Sequence, residues 1–250
     1  MARYPIAQKR PHKITQHGQT RVDAYFWMRD REDPALLDYL KAENAYLEEV
    51  MQHTKLLQKL LFEEMKARIK EDDESAPIKH GGYYYYRRTA AGKQYPYYCR
   101  KKRTLDAPEE VILDQNALAK GMAFCRVGAF SISPDHQKLA YSVDPDGTEK
   151  CTLYIKDLNT GEHYPEQIPE TWGDVYDHLG VEWANDNLTL FYATLDSALR
   201  PYKIFRHILG EQPVNDELVF HEEDETFYLF LSKSRSQAYI MAYCFSFLTS

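Results

Sequence analysis

Apolar positions along the chain follow two different periods. Before residue 70 they recur at helical spacing. Leu36, Leu40, Leu47 and Val50 form one stripe, with Tyr39 and Tyr46 beside it. Leu57, Leu61, Met65 and Ile69 then repeat every four residues. Asp33 ahead of Pro34 supplies an N-cap and a first helical residue. The second helix is predicted from Thr54, with Glu64 and Arg68 as an i, i+4 pair. Residues 1–22 read as an extended basic arm, and Tyr25, Phe26 and Trp27 behind it need a covering surface. Lys70-Glu-Asp-Asp-Glu-Ser-Ala-Pro77 is a charged, proline-closed segment that divides the chain into 1–76 and 77–250.

Beyond Pro77 the period becomes that of strands. Tyr83–Arg88, Tyr95–Arg100 and Glu110–Leu113 are predicted as three strands of a first sheet. Gly128–Ile132, Leu139–Val143, Thr152–Asp157 and His163–Ile168 make a second sheet, with turns at Asp144-Pro-Asp-Gly147 and Asn159-Thr-Gly161. Val181–Trp183, Thr189–Thr194, Lys203–Ile208 and Glu217–His221 make a third. Thr226–Ser232 and Ala238–Cys244 begin a fourth. The segment Ser133–Ser142 is a strand end, a polar turn and a new strand, and its pattern returns at Ala184–Ala193. Asp135 then falls on Asp186 and Leu139-Ala-Tyr141 on Leu190-Phe-Tyr192. A fainter copy is placed at Ser232–Met241. A strand–turn–strand unit recurring every 40–50 residues or so marks a β-propeller blade, which cannot bury its faces alone. The fold class expected is therefore mostly β: a partial propeller of three blades and the start of a fourth, after an N-terminal helical arm. Ala242–Leu248 is strand-like with no following partner, so the propeller reads as truncated.

Composition narrows the function classes. The 250 residues carry a formal net charge of −7, which disfavours nucleic acid and anionic membrane surfaces as partners. No apolar run approaches the length of a membrane span. The four cysteines, Cys99, Cys125, Cys151 and Cys244, form no C-x-x-C and read as reduced thiols of a cytoplasmic protein.

Candidate chemistry is sparse. Ser131 and Ser133 follow Gly128, but no G-x-S-x-G nucleophile elbow is present, and both read as strand and turn serines. His221-Glu-Glu-Asp-Glu225 is the single His/carboxylate cluster; adjacent side chains diverge in an extended chain, so it reads as a solvated loop and not a metal site. Tyr83–Tyr86 with Arg87 and Arg88 could stack on nucleic acid, yet alternate tyrosines point to opposite faces, and a buried blade strand is the better account. Thr171-Trp-Gly-Asp174 matches only the end of an Asp-box. No catalytic, cofactor-binding or metal-ligating residue is assigned.

Six segments carry a resemblance. They are Val22–Pro34, Ala42–Tyr46, Phe62–Asp73, Gly92–Pro96, Ser133–Asp135 with Leu139–Ser142, and Arg200-Pro201 with Arg206-His207. In this order the chain resembles the N-terminal part of the oligopeptidase B group in the prolyl oligopeptidase family of serine peptidases. The resemblance implies a seven-bladed propeller that gates access to an α/β-hydrolase domain. It implies that the N-terminal helices pack on that domain, and that short peptides are cut after Lys or Arg without a cofactor. The family's Ser, Asp and His lie in the hydrolase part, so none is carried onto this chain. A non-catalytic propeller interaction module and a propeller glycosidase are the rival readings.

One prediction follows from the missing elbow: the 250-residue chain alone does not hydrolyse amide or ester substrates of Arg or Lys. Turnover that survives purification and disappears on a point change in this chain would refute it.

Overall fold

The computed structural model describes residues 3–174 and 179–249. It contains two compact units, Met1–Lys70 and Glu71–Ser250.

In the first unit the arm folds into a hairpin, β1 (His12–Gln16) and β2 (Gln19–Asp23). His17 and Gly18 turn it with φ of 52° and 76°, the mirror-image turn that matches strand twist. The arm predicted as merely extended therefore pairs with itself. It also packs on two of the three clustered aromatics, leaving Tyr25 exposed: Trp27 donates its indole N–H to the Gln8 carbonyl at 2.9 Å, and His12 stacks on Phe26 at 4.1 Å. Arg10 lies over the Trp27 ring and reaches Asp33 at 2.6 Å. Asp33 caps α1 (Pro34–Met51) by accepting the Ala35 N–H. A 3-10 turn over Gln52–Thr54 leads to α2 (Lys55–Ala67). Thr54 makes no side-chain cap, because its hydroxyl donates back to the Met51 carbonyl. No residue of either helix is buried, and Leu40, Leu47, Leu57 and Leu61 are all exposed.

The second unit is built of blades. The first has four strands in order: β3 (Ile78–His80), β4 (Tyr83–Arg88), β5 (Tyr97–Lys102) and β6 (Glu109–Asp114). Its inner strand β3 was not predicted; it is short and turns at Gly81, whose φ is 55°. A single-turn helix α3 (Gln115–Leu118), capped by Asp114, follows. Blade two comprises β7 (Arg126–Ile132), β8 (Lys138–Asp144), β9 (Cys151–Asp157) and β10 (His163–Thr171). Blade three comprises β11 (Val181–Trp183), β12 (Thr189–Leu195), β13 (Pro201–Ile208) and β14 (Glu217–His221). A final hairpin, β15 (Tyr228–Lys233) and β16 (Ile240–Phe245), opens a fourth. Blades two and three are also joined: Thr171 at the end of β10 pairs with Thr194 of β12.

The repeat is real, but its third copy needs a two-residue correction. Ser133 N–H bonds the Lys138 carbonyl, Ala184 N–H bonds Thr189, and Ser234 N–H bonds Tyr239. His136, Asn187 and Gln237 hold the same turn position with φ of 62°, 61° and 61°. Ser234, and not Ser232, is thus the counterpart of Ser133. The register was obscured because the turn carboxylate is replaced. Asp135 and Asp186 accept the turn amides in the first two copies, whereas Ser236 does so in the third.

Each seam between blades holds its own apolar cluster. Leu139, Tyr141 and Val143 of β8 pack with Tyr98, Ile112 and Leu113 of blade one. The opposite face of blade two carries Ala129 and Ala140 with Leu153, Ile155 and Ile168, and receives Trp183, Leu190 and Tyr192 of blade three. Ile204 meets Leu229 and Leu231 in the last seam. Period-two alternation along β8 sends successive side chains to different neighbours.

The chain returns from β10 through Gly173. A Cβ there would lie 2.3 Å from the Ala129 backbone nitrogen, so only glycine fits. Gly173→Ala is expected to destabilise the protein by about 1–3 kcal/mol through overpacking, while Gly82→Ala, with open space around it, stays within about 0.5 kcal/mol. Urea unfolding of both variants checks this; equal midpoints would contradict the close approach.

Candidate functional site

The inner strands β3, β7, β11 and β15 line a concave pocket of about 530 Å³. Its apolar wall includes Ile78, Phe130, Ile132, Val181 and Trp183; its polar groups include Glu182, Lys233 and Gln237. These strands are tied to one another by side chains that bond backbone. Trp183 donates its indole N–H to the Ser131 carbonyl at 3.1 Å, and Lys233 donates its ammonium to the Trp183 carbonyl at 2.8 Å. Val181 and Trp183 face the apolar seam, so Glu182 between them faces the other way. Burial holds the Glu182 carboxyl above its ordinary range, partly offset by the Lys233 charge and amide. Burial also lowers Lys233, against the pull of Glu182 and Asp186.

The inner turns stack in sequence. Arg100 donates to the His136 carbonyl at 2.6 Å, Asp135 N–H to the Asn187 side chain at 2.8 Å, and Asn185 to the Gln237 carbonyl at 2.9 Å. His136 sits in a cluster with Tyr83, Tyr85 and His80, its Nδ1 2.8 Å from the Tyr85 hydroxyl. Burial, then His80 and Arg100, lower the His136 pKa below 6.5, with Asp135 opposing. Burial raises the Tyr85 hydroxyl to about 12.

Neither the Ser131 nor the Ser133 hydroxyl bonds a histidine among the described residues. Ser133 is fully buried; its hydroxyl donates to Asp135 at 2.5 Å and accepts the Lys138 N–H. Ser131 lies on the pocket wall. A His–Asp pair that sequence reasoning passed over lies inside blade three. His207 Nδ1 is 2.8 Å from Asp216, whose other oxygen accepts the Tyr192 hydroxyl at 2.8 Å. Both residues are sealed from solvent, and His207 Nε2 meets no hydrogen-bond partner among the described residues. The pair is built into the sheet and is closed to substrate. His221 ends β14 against the Tyr202 ring. Burial pushes the thiols of Cys99 and Cys244 up, to about 12 and about 11, so neither is a thiolate at neutral pH. Among Tyr83–Tyr86 only Tyr86 is fully buried; its hydroxyl donates to Glu109 at 2.6 Å.

The arrangement is that of a propeller wall with a concave inner face. The match to known proteins agrees with this class. Residues 4–250 match the N-terminal β-propeller domain of prolyl oligopeptidase, and the chain belongs to that family. It is 40% identical to Protease 2 of Moraxella lacunata over 98% of this chain and 36% of the relative. It is 36% identical to dipeptidyl aminopeptidase BI of Pseudoxanthomonas mexicana, over 94% of this chain and 34% of that protein. Oligopeptidase B from Leishmania major superposes with a TM-score of 0.88 and 32% identity, over 98% of this chain and 36% of that one. The chain thus spans about a third of the length of these relatives, as their N-terminal part. Among the described residues no helix is long and apolar enough to cross a membrane.

The His136 seam carries a pH signature. A histidine whose folded pKa is depressed favours folding while neutral, so its contribution is complete above 6.5 and is lost as pH falls through the folded value. His136→Asn keeps the left-handed turn that Asn187 tolerates and cannot titrate. Its unfolding midpoint should fall less than the wild type's between about pH 7 and pH 5. Identical pH slopes would remove His136 from the account. His163, also depressed by burial, keeps the variant from becoming flat.

Proposed function

We propose that this chain is the helical arm and first propeller blades of an oligopeptidase B-like serine endopeptidase of the cytoplasm. The whole enzyme cuts short peptides after Lys or Arg. The carrying observation is the agreement, over nearly the whole chain, with the N-terminal third of Protease 2 and of an oligopeptidase B structure. The propeller gates access to an α/β-hydrolase domain that supplies Ser, Asp and His. A pocket of about 530 Å³ has room for a few residues of extended peptide and none for a folded protein. Covering the reaction also keeps bulk water from the charges that develop there. The exposed leucines of α1 and α2 are the surface on which the hydrolase domain packs. This reading is preferred to an isolated interaction module because the match runs through the helical arm as well as the blades.

The test is the full-length protein that contains this chain. It should cleave short blocked peptides with Arg or Lys before the scissile bond, and leave a folded protein of the same sequence content intact. Cleavage confined to bonds after Pro, or release of dipeptides only from free N-termini, would replace this reading with a different peptidase specificity. Inactivity on all peptides would favour the interaction module.

A further inference from the structure

We infer that Glu182 is the acid of an inner-wall subsite that takes a cationic side chain, an ammonium or guanidinium, of a peptide residue remote from the scissile bond. The inference deepens the peptidase reading and rests on it for the substrate class. Three observations carry it. The pocket of about 530 Å³ is walled by four successive inner strands, so it is part of the propeller's central face and not a surface dent. The two lysines at its rim are already engaged. Lys233 points its ammonium at the Trp183 carbonyl, and Lys79 lies over the Tyr84 ring, 5.9 Å from its centre. Glu182 makes no ion pair among the described residues.

A half-buried carboxylate without a salt-bridge partner is costly, and a guest cation relieves that cost. Burial raising the Glu182 carboxyl is the same cost seen in the free protein. The surroundings suit the long apolar stem of a lysine or arginine: Phe130 and Ile132 line the wall, and stems of this kind pack on apolar surface while the charged head finds its partner. The Tyr85 hydroxyl, held by His136, fixes the aromatic edge of the pocket. Lys233 is the resident competitor, because its charge already acts on Glu182 from the next inner strand.

The experiment uses the full-length protein and matched peptides. Each has one Arg before the scissile bond and, at successive positions further along, either Lys or norleucine. The readout is the ratio of KM for the norleucine peptide to KM for the lysine peptide, taken within one preparation so that partly misfolded protein cancels. Wild type should show a ratio of about fivefold at one position, the worth of a single partly buried ion pair. Glu182→Gln should bring the ratio to about one, and Lys233→Gln, which removes the competitor, should raise it above the wild-type value. A structural role for Glu182 would leave the ratio unchanged. A ratio near one at every position in wild type, or the same ratio in Glu182→Gln, overturns the subsite. If wild type cleaves neither peptide, the peptidase reading fails. The same ratio is then read as Kd from the fluorescence anisotropy of labelled peptides, with the same two outcomes deciding for or against the subsite.

Discussion

A propeller blade has two apolar faces and can cover neither by itself. Everything else in the second unit depends on how one face is passed to the next blade. Blade two does this with both faces. It offers Leu139, Tyr141 and Val143 of β8 to blade one, and Ala129, Ala140, Leu153, Ile155 and Ile168 to blade three. The indole of Trp183 is almost fully buried in that second seam. Each large side chain so buried contributes about 1.5–3 kcal/mol, against a conformational entropy of nearly equal total size.

Polar contacts across the seams fix what apolar burial leaves free, namely height and rotation. Lys156 reaches the Ile112 carbonyl at 3.0 Å, Arg100 the His136 carbonyl, and Trp183 and Lys233 the strands before their own. All four place a side-chain donor on a backbone acceptor of the neighbouring blade. Such bonds are worth about 0.5–1.5 kcal/mol each, rather more for the charged donors, and they are directional. Arg200 does the same for the passage from blade three to blade four. Nearly buried, it pairs with Asp196 at 2.9 Å and donates to the carbonyls of Asp224 and Phe227. The Arg200-Pro201 segment that carried part of the family resemblance is thus a fastening of the crossover.

The same seams bear on function. Inner strands held rigidly side by side can present a side chain such as Glu182 at a fixed place on the central face, and a subsite needs that precision. The helical unit has the opposite character. Its leucine stripes are exposed, and its order comes from the arm that wraps Trp27 and Asp33. The chain thus joins a wall of seamed blades to a helical unit with an exposed apolar surface.

Much of this was legible in the chain. The helical stripes, the Asp33 cap, the change of period after Pro77 and the turn of Ser133–Lys138 with its copy at Ala184–Thr189 follow from local chemistry: side-chain period, capping and turn residues. The six ordered segments carried the family. The elements that were missed are those whose local signal is weak. The hairpin β1–β2 has polar strands, β3 has three residues, and the third turn uses Ser236 where the others use Asp. Three further features could come only from the tertiary structure. These are the buried His207–Asp216 pair, the mutual approach of Gly173 and Ala129, and the position of Glu182 opposite Lys233 on a shared wall. Each depends on residues far apart in sequence meeting across a sheet or a seam, and a strand's own sequence tells which face a side chain takes but not what stands in front of it.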